Sequence, residues 1–388
     1  MLLLKRIAQF FPGILMLFLV SILVSCKKDQ TKNSEMKEIT ENENVVRLFV
    51  GTYTNDSSKG IYSFDFDAKT GQLSNEKLLV EVSNPSYLTL SKNKEVVYAV
   101  NEDNPGKVSS FGWNTDKTQL ELRSEQPSEG IHPCYVSFDE NKNRLAVANY
   151  SSGTLAVYPV NEKGIIEKSI QRENHEGNGP VKPNQESPHV HCVQFDKNSN
   201  FLFAADLGID QIISYPVATD GTLTKQQIAL QMEPGDGPRH FVFHPKKDIL
   251  FVMNELSSTV VSAKVHLETG ILEKIDRKSS LPQDFTGESY GADIHISSDG
   301  KFLYATNRGH NSIAVFSVAE DGLLNLLETI SVHGDWPRNF ALSPDENYIL
   351  IANQNSNTIT VFKRDSTTGL LAYTNNEYKM GAPVCLIF

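Results

Sequence analysis

Six tandem copies of a strand-rich unit of about 50 residues, and a seventh split between the two ends of the chain, predict an all-β fold. The expected architecture is a seven-bladed β-propeller, closed by pairing of the C-terminal strand with the N-terminal blade. Three observations carry this. Residues 235–265, GDGPRHFVFHPKKDILFVMNELSSTVVSAKV, hold three runs rich in β-branched and aromatic residues, separated by Gly-Pro, His-Pro-Lys-Lys-Asp and Ser-Ser turns. First strands of the unit start at Pro85, Pro133, Pro188, Pro238, Gly291, Pro337 and Pro383, with gaps of 48, 55, 50, 53, 46 and 46 residues. Finally, RLFVGTY at residues 47–53 begins at a second strand, while APVCLIF at residues 382–388 stops after a first one. Each lacks what the other has.

Within the unit, second strands read VVYAVN, RLAVAN, FLFAAD, ILFVMN, FLYATN and YILIAN. Their unbroken apolar character predicts sheets buried on both faces. Each ends at an Asn or Asp, 16 residues after the turn residue in five copies and 18 in one. Third strands such as GIYSFDF, TLAVYPV and SIAVFSV follow, and turn signals such as Asp220-Gly and Thr368-Gly lead into the fourth. One long insert, His175 to Ser187, is rich in Gly, Pro and Asn and is placed to fold over the channel mouth.

Residues 1–25 read as a secretory signal: Lys5 and Arg6, an apolar core from Ile14 to Val24, then Leu-Val-Ser before Cys26. Gln9, Pro12 and Gly13 interrupt the run, which makes it poor as a permanent membrane helix. The tripeptide before Cys26 resembles a bacterial lipobox, in which that cysteine is lipidated; a plain cleaved signal with an incidental Cys is the alternative. Residues 26–44 are polar and read as a flexible tether, and residues 45–388 as the propeller domain. The expected location is the cell envelope, with the lipid anchor as the only membrane contact. Cys134, Cys192 and Cys385 have no metal-like spacing and read as buried core residues. With 36 basic and 47 acidic residues the net charge is −11, which argues against nucleic acid as a partner. A monomer is expected.

Hairpin geometry brings the start of every first strand and the end of every second strand to one end of the sheets, around one mouth. That ring contains His132, His189, His191, Arg239, His240, Asp293, His295 and Arg338 from the turns. Strand ends add Tyr53, Glu102, Tyr150, Asp206, Asn254, Glu255, Asn307 and Arg308. Asn at these ends is explained blandly as a strand cap. The arginines, glutamates and histidines, which differ from blade to blade, are not. His191, His240 and His244 read as core or turn packing.

The stretches SPHVHCVQFD, GDGPRHFVFHP, FVMNELSSTV, ADIHIS, LYATNRGHNSIAVF and WPRNFALSPD resemble the seven-bladed propeller lactonases over residues 46–388. That family includes bacterial propeller-type 6-phosphogluconolactonases and fungal carboxymuconate-cyclising enzymes. The resemblance implies a hydrolase of carbohydrate metabolism, with His189, Arg239 and Glu255 as active-site residues. It adds an arginine from a later blade, Arg308 by spacing or else Arg338. His132, Asn254 and Asp293 complete the expected substrate contacts, and no cofactor or metal is expected. The lipobox departs from the family, because the phosphogluconate pathway is cytoplasmic.

Opening a lactone requires a water nucleophile, a base, and positive charge where the oxyanion forms. Glu255 or His189 suits the base, and the arginines suit an anionic sugar lactone. Two rivals stand beside this reading. One is a non-catalytic envelope propeller that binds a ligand or protein at the same mouth. The other is a metal-dependent lactonase using Glu102, Asn149, Asp206 and Glu255 as oxygen ligands. No HExxH, phosphate loop or dinucleotide fingerprint is present.

Overall fold

A computed structural model describes residues 44–54 and 57–388. The expected signal segment, Cys26 and nearly all of the tether lie outside the described residues. What is described forms seven four-stranded antiparallel sheets, each with its first strand innermost. Blade 1 is the composite: Pro383–Ile387, Val45–Thr52, Gly60–Asp67 and Gln72–Glu81, in that spatial order. Closure pairs Phe49 with Ile387, Val50 with Leu386, Gly51 with Cys385 and Thr52 with Pro383. Gly51 is required there, since a Cβ would come 2.3 Å from the Pro85 carbonyl oxygen of the next blade. The ring is thus held shut by the two ends of the chain.

Burial follows the sequence pattern. The second strands Phe201–Asp206, Ile249–Asn254 and Tyr348–Asn353 are buried at every position, because each sheet is covered by a neighbouring blade on both faces. The outermost strands alternate; in Leu371–Lys379 every second side chain beyond Thr374 is more exposed than its neighbour. Cys134, Cys192 and Cys385 are free and buried; Cys192 and Cys385 pack in the core as expected, whereas Cys134 does not.

The strand-end Asn and Asp side chains are structural. Asn149 Nδ2 donates to Ser128 O at 2.8 Å and Asn307 Nδ2 to Ser280 O at 3.2 Å, each tying a second strand to the fourth-strand end of the previous repeat. Asn254 Nδ2 donates to Thr259 Oγ1 at 2.9 Å, and Asn254 is fully buried. The insert His175 to Ser187 docks on blade 4. His175 Nδ1 lies 2.6 Å from Asp206 Oδ2, and Gln185 Nε2 donates to Leu207 O and Asp210 Oδ1 at 2.8 and 2.7 Å. It braces that blade, and no residue of it lines the cavity at the mouth.

Candidate active site

In four of the innermost strands a one-residue bulge decides which of their side chains enter the channel. Pairing skips one residue between Pro133 and Tyr135, Val190 and Cys192, Pro238 and His240, and Pro337 and Asn339. The skipped residues are Cys134, His191, Arg239 and Arg338. An unpaired bulge residue is re-aimed away from the ladder, and all four side chains turn to the channel mouth. The next residue inward in each copy forms a floor: Tyr87, Tyr135, Cys192, His240, Asp293, Asn339 and Cys385. Tyr87 stacks on Tyr135 at 4.0 Å, and Asp293 accepts from His240 Nδ1 at 2.8 Å and Asn339 Nδ2 at 2.6 Å. The floor seals the channel beneath the bulged residues.

Above it lies a cavity of about 230 Å³ lined by Tyr53, Glu102, Cys134, Tyr150, His191, Glu255, Arg308 and Arg338. On one side Glu255 sits between two guanidiniums. Its Oε2 is 2.7 Å from Arg308 Nη2 and 3.0 Å from Arg239 Nε, the second an ion-pair contact without hydrogen-bond alignment. Arg308 Nη2 also donates to Gly291 O at 2.9 Å and Arg239 Nη1 to Ala292 O at 2.5 Å, so backbone carbonyls of blade 6 fix both forks. Burial alone would raise the Glu255 pKa, but Arg308, Arg239 and Arg338 outweigh it and hold the carboxyl below its ordinary value. Burial and the neighbouring Arg308 and Arg338 push Arg239 down to about 10, still protonated at neutral pH.

The other side is built from blades 1, 2 and 7. Tyr53 OH donates to Glu102 Oε2 at 2.9 Å, and the Arg338 guanidinium lies 5.3 Å from the centre of the Tyr53 ring. Arg338 Nη2 approaches Glu102 Oε2 only to 3.8 Å. Among the described residues its fork makes no hydrogen bond, unlike those of Arg239 and Arg308. Between the two sides, burial and then Arg239 hold His191 well below its usual pKa, so it is a neutral imidazole. Burial raises the Cys134 thiol.

Residues 47–388 match the family described as Lactonase, 7-bladed beta-propeller. The chain belongs to that family. It is 37% identical over 342 residues to the 6-phosphogluconolactonase of Bacillus subtilis, covering 88% of this chain and 97% of that one. The 6-phosphogluconolactonase of Formosa agariphila is 39% identical over 339 residues, 84% of this chain and 94% of its own. The periplasmic gluconolactonase of Pseudomonas aeruginosa superposes with a TM-score of 0.83 at 32% identity, covering 88% and 98% of the two chains. By class this lactonase-family chain is a hydrolase acting on lactones.

In this lactonase-family propeller the expected Glu255, Arg239, Arg308 and Arg338 converge as anticipated by hairpin geometry. His189 does not line the cavity. Its ring stacks on Tyr150 at 4.4 Å, and its Nδ1 is 2.9 Å from Tyr150 O. The bulge puts His191 in its place, and His191 rather than His189 is the histidine in register with Arg239. The one copy with an 18-residue step carried that signal, since counting back 16 from Asp206 gives Val190, not Pro188. His132 is turned to Ser151 Oγ at 2.7 Å, outside the cavity. Asn254 points into its own blade, and Asp293 is a floor residue, 2% exposed. Of the four oxygen ligands of the metal-dependent reading, Glu102 and Glu255 share the cavity and are each paired with cations. Asp206 and Asn149 are spent on backbone and His175. Among the described residues no group of His, Cys, Asp and Glu is arranged to hold a metal ion. A larger cavity, about 370 Å³, opens at the far end of the channel around Tyr87, Tyr135, Gln194 and Lys197, on the other side of the floor from every charged group above.

Proposed function

We propose that the chain opens the lactone of a sugar acid, with Glu255 as the general base and Arg338 as the contact for an anionic group of the substrate. The observation supporting this is the unequal state of the three guanidiniums. Arg239 and Arg308 are committed to Glu255 and to backbone carbonyls, whereas Arg338 keeps its hydrogen-bonding fork for a ligand. Both arginine contacts to Glu255 run to Oε2. Its Oε1 remains to orient and deprotonate a water aimed at the ester carbonyl. The Arg308 and Arg239 charges lower its basicity but keep it ionised and fixed in direction. Positive charge at the cavity then stabilises the oxyanion, and the ring oxygen leaves as the sugar hydroxyl, taking up the proton that Glu255 removed from water or one from solvent. At about 230 Å³ the cavity suits one ring, being smaller than drug-sized sites of roughly 300–1,000 Å³.

Two substrates fit. A 6-phosphorylated gluconolactone agrees with the names of the Bacillus and Formosa relatives and uses the free fork of Arg338. The unphosphorylated lactone is favoured by the lipobox-like Cys26 and by the periplasmic relative, and goes with a lipid-anchored envelope enzyme. Hydrolysis of both lactones by the parent and by Arg338→Ala tests the reading. A charge-assisted hydrogen bond is worth about 1.5–3 kcal/mol, so KM for the phosphorylated lactone should rise roughly 10- to 100-fold in the variant. KM for the plain lactone should barely move. No hydrolysis above the spontaneous rate by the parent would leave the ligand-binding propeller as the better account.

A further inference from the structure

The residue before each paired turn position forms the rim of the mouth, and in five of the seven blades it has a left-handed backbone. The φ angles are 40° at Asn84, 51° at His132, 62° at Gly237, 65° at Trp336 and 35° at Ala382. Asn and Gly adopt this conformation readily, and a bulky aromatic does not. Trp336 is the largest of the five, and strain of this kind gathers at functional sites. The fold does not demand a tryptophan here, since other blades make the same turn with small residues. Only its main chain is engaged by the turn: its N–H donates to Asn311 Oδ1 at 2.9 Å and its carbonyl accepts from Gln354 N at 3.1 Å.

The indole itself lies over the Arg308 guanidinium, 5.3 Å from the ring centre, with Tyr290 tilted beside it at 6.1 Å. Arg308 lines the cavity, and Arg338, two residues along the chain, lines it too. The side chain is only partly covered, and among the described residues its Nε1–H has no acceptor. A half-exposed aromatic surface with a free donor, next to the charged groups of a sugar site, offers an apolar face to ring C–H groups and a hydrogen bond to a hydroxyl. We propose that Trp336 is a substrate-contacting specificity residue, the platform on which the sugar ring rests while its carbonyl is presented to Glu255. This rests on the sugar-lactone reading above.

The chain has two tryptophans, and the other, Trp113, sits at the far end of its blade with Nε1 donating to Lys94 O. A Trp113→Phe protein therefore has Trp336 as its sole tryptophan. Titrating it with gluconate and with 6-phosphogluconate should change its fluorescence, whereas inorganic phosphate, which meets Arg338 alone, should not. Trp336→Asn installs the residue that blade 2 uses at this turn. It should keep or raise the melting temperature while raising KM for sugar lactones roughly threefold to tenfold. Trp336→Phe should recover most of that loss. If the parent hydrolyses a sugar lactone, yet gluconate leaves the fluorescence unchanged and Trp336→Asn keeps the parent KM, Trp336 is only a clamp on Arg308 and the platform is overturned. A parent inert toward every sugar lactone instead refutes the functional reading beneath it.

Discussion

Replacing Glu255 with Gln preserves shape and removes one charge from the most tightly held ion cluster in the cavity. In the parent, Oε2 faces Arg308 at 2.7 Å and Arg239 at 3.0 Å, with the Glu255 side chain 11% exposed. Removing a partner from a buried ion pair costs about 3–5 kcal/mol when nothing replaces it. Here the Gln carbonyl can still accept from Arg308, and both arginines keep their backbone acceptors, so a loss at the lower end, about 3 kcal/mol, is expected. Urea unfolding of both proteins measures it. Activity should respond more sharply. The amide cannot take a proton from water, so kcat should fall roughly 100-fold or more. KM for an anionic lactone should not rise, because the cavity becomes more positive. His191→Gln is the paired control. It removes the neutral imidazole but leaves Glu255 in place, and kcat should then fall by less than about tenfold, well short of the effect of losing the base. Glu255→Gln with parental kcat, or His191→Gln inactive beside an active Glu255→Gln, would refute Glu255 as the base.

Two further outcomes follow from the fold and its floor. Deleting residues 382–388 removes Val384, Cys385 and Leu386, exposed by only 1%, 2% and 4%, together with the ladder that closes blade 1. At about 1.5–3 kcal/mol per buried apolar side chain the loss approaches a total stability of roughly 5–15 kcal/mol. The truncated chain should be insoluble or melt far below the parent, and a soluble protein with parental melting would contradict ring closure. Stability should also fall on mild acidification. Burial and then Arg239, against the pull of Asp293, push His240 from 6.5 down to about 4. Its contribution is present above pH 6.5 and is lost as pH falls toward 4, about 3 kcal/mol in all. Melting temperatures measured across that range should show a shallower slope in His240→Gln than in the parent.

The repeat was legible because the apolar second strands and their terminal Asn or Asp recur at nearly constant spacing. Closure was legible because the two half-units at the chain ends are complementary. Hairpin geometry alone placed Glu255, Arg239, Arg308 and Arg338 at one mouth. Strand pairing read without bulges could not say which turn residues face the channel. This put His189 in the site and left His191 to packing, when a one-residue bulge reverses them. Asn254 and Asp293 were misjudged for a related reason: lying at the mouth in sequence does not say whether a side chain enters the cavity, the blade or the floor. The pairing of Tyr53, Glu102 and Arg338 joins blades 1, 2 and 7, and no local pattern announces a contact between side chains so distant in sequence.

The most direct test of the account is a crystal structure of the protein soaked with gluconate or 6-phosphogluconate, the acids left by lactone opening. The sugar acid should lie in the cavity at the channel mouth, its carboxylate beside Glu255 and His191 and any phosphate on Arg338. A sugar acid bound instead in the far-end cavity around Tyr87, Tyr135 and Gln194, with the mouth empty, would contradict it.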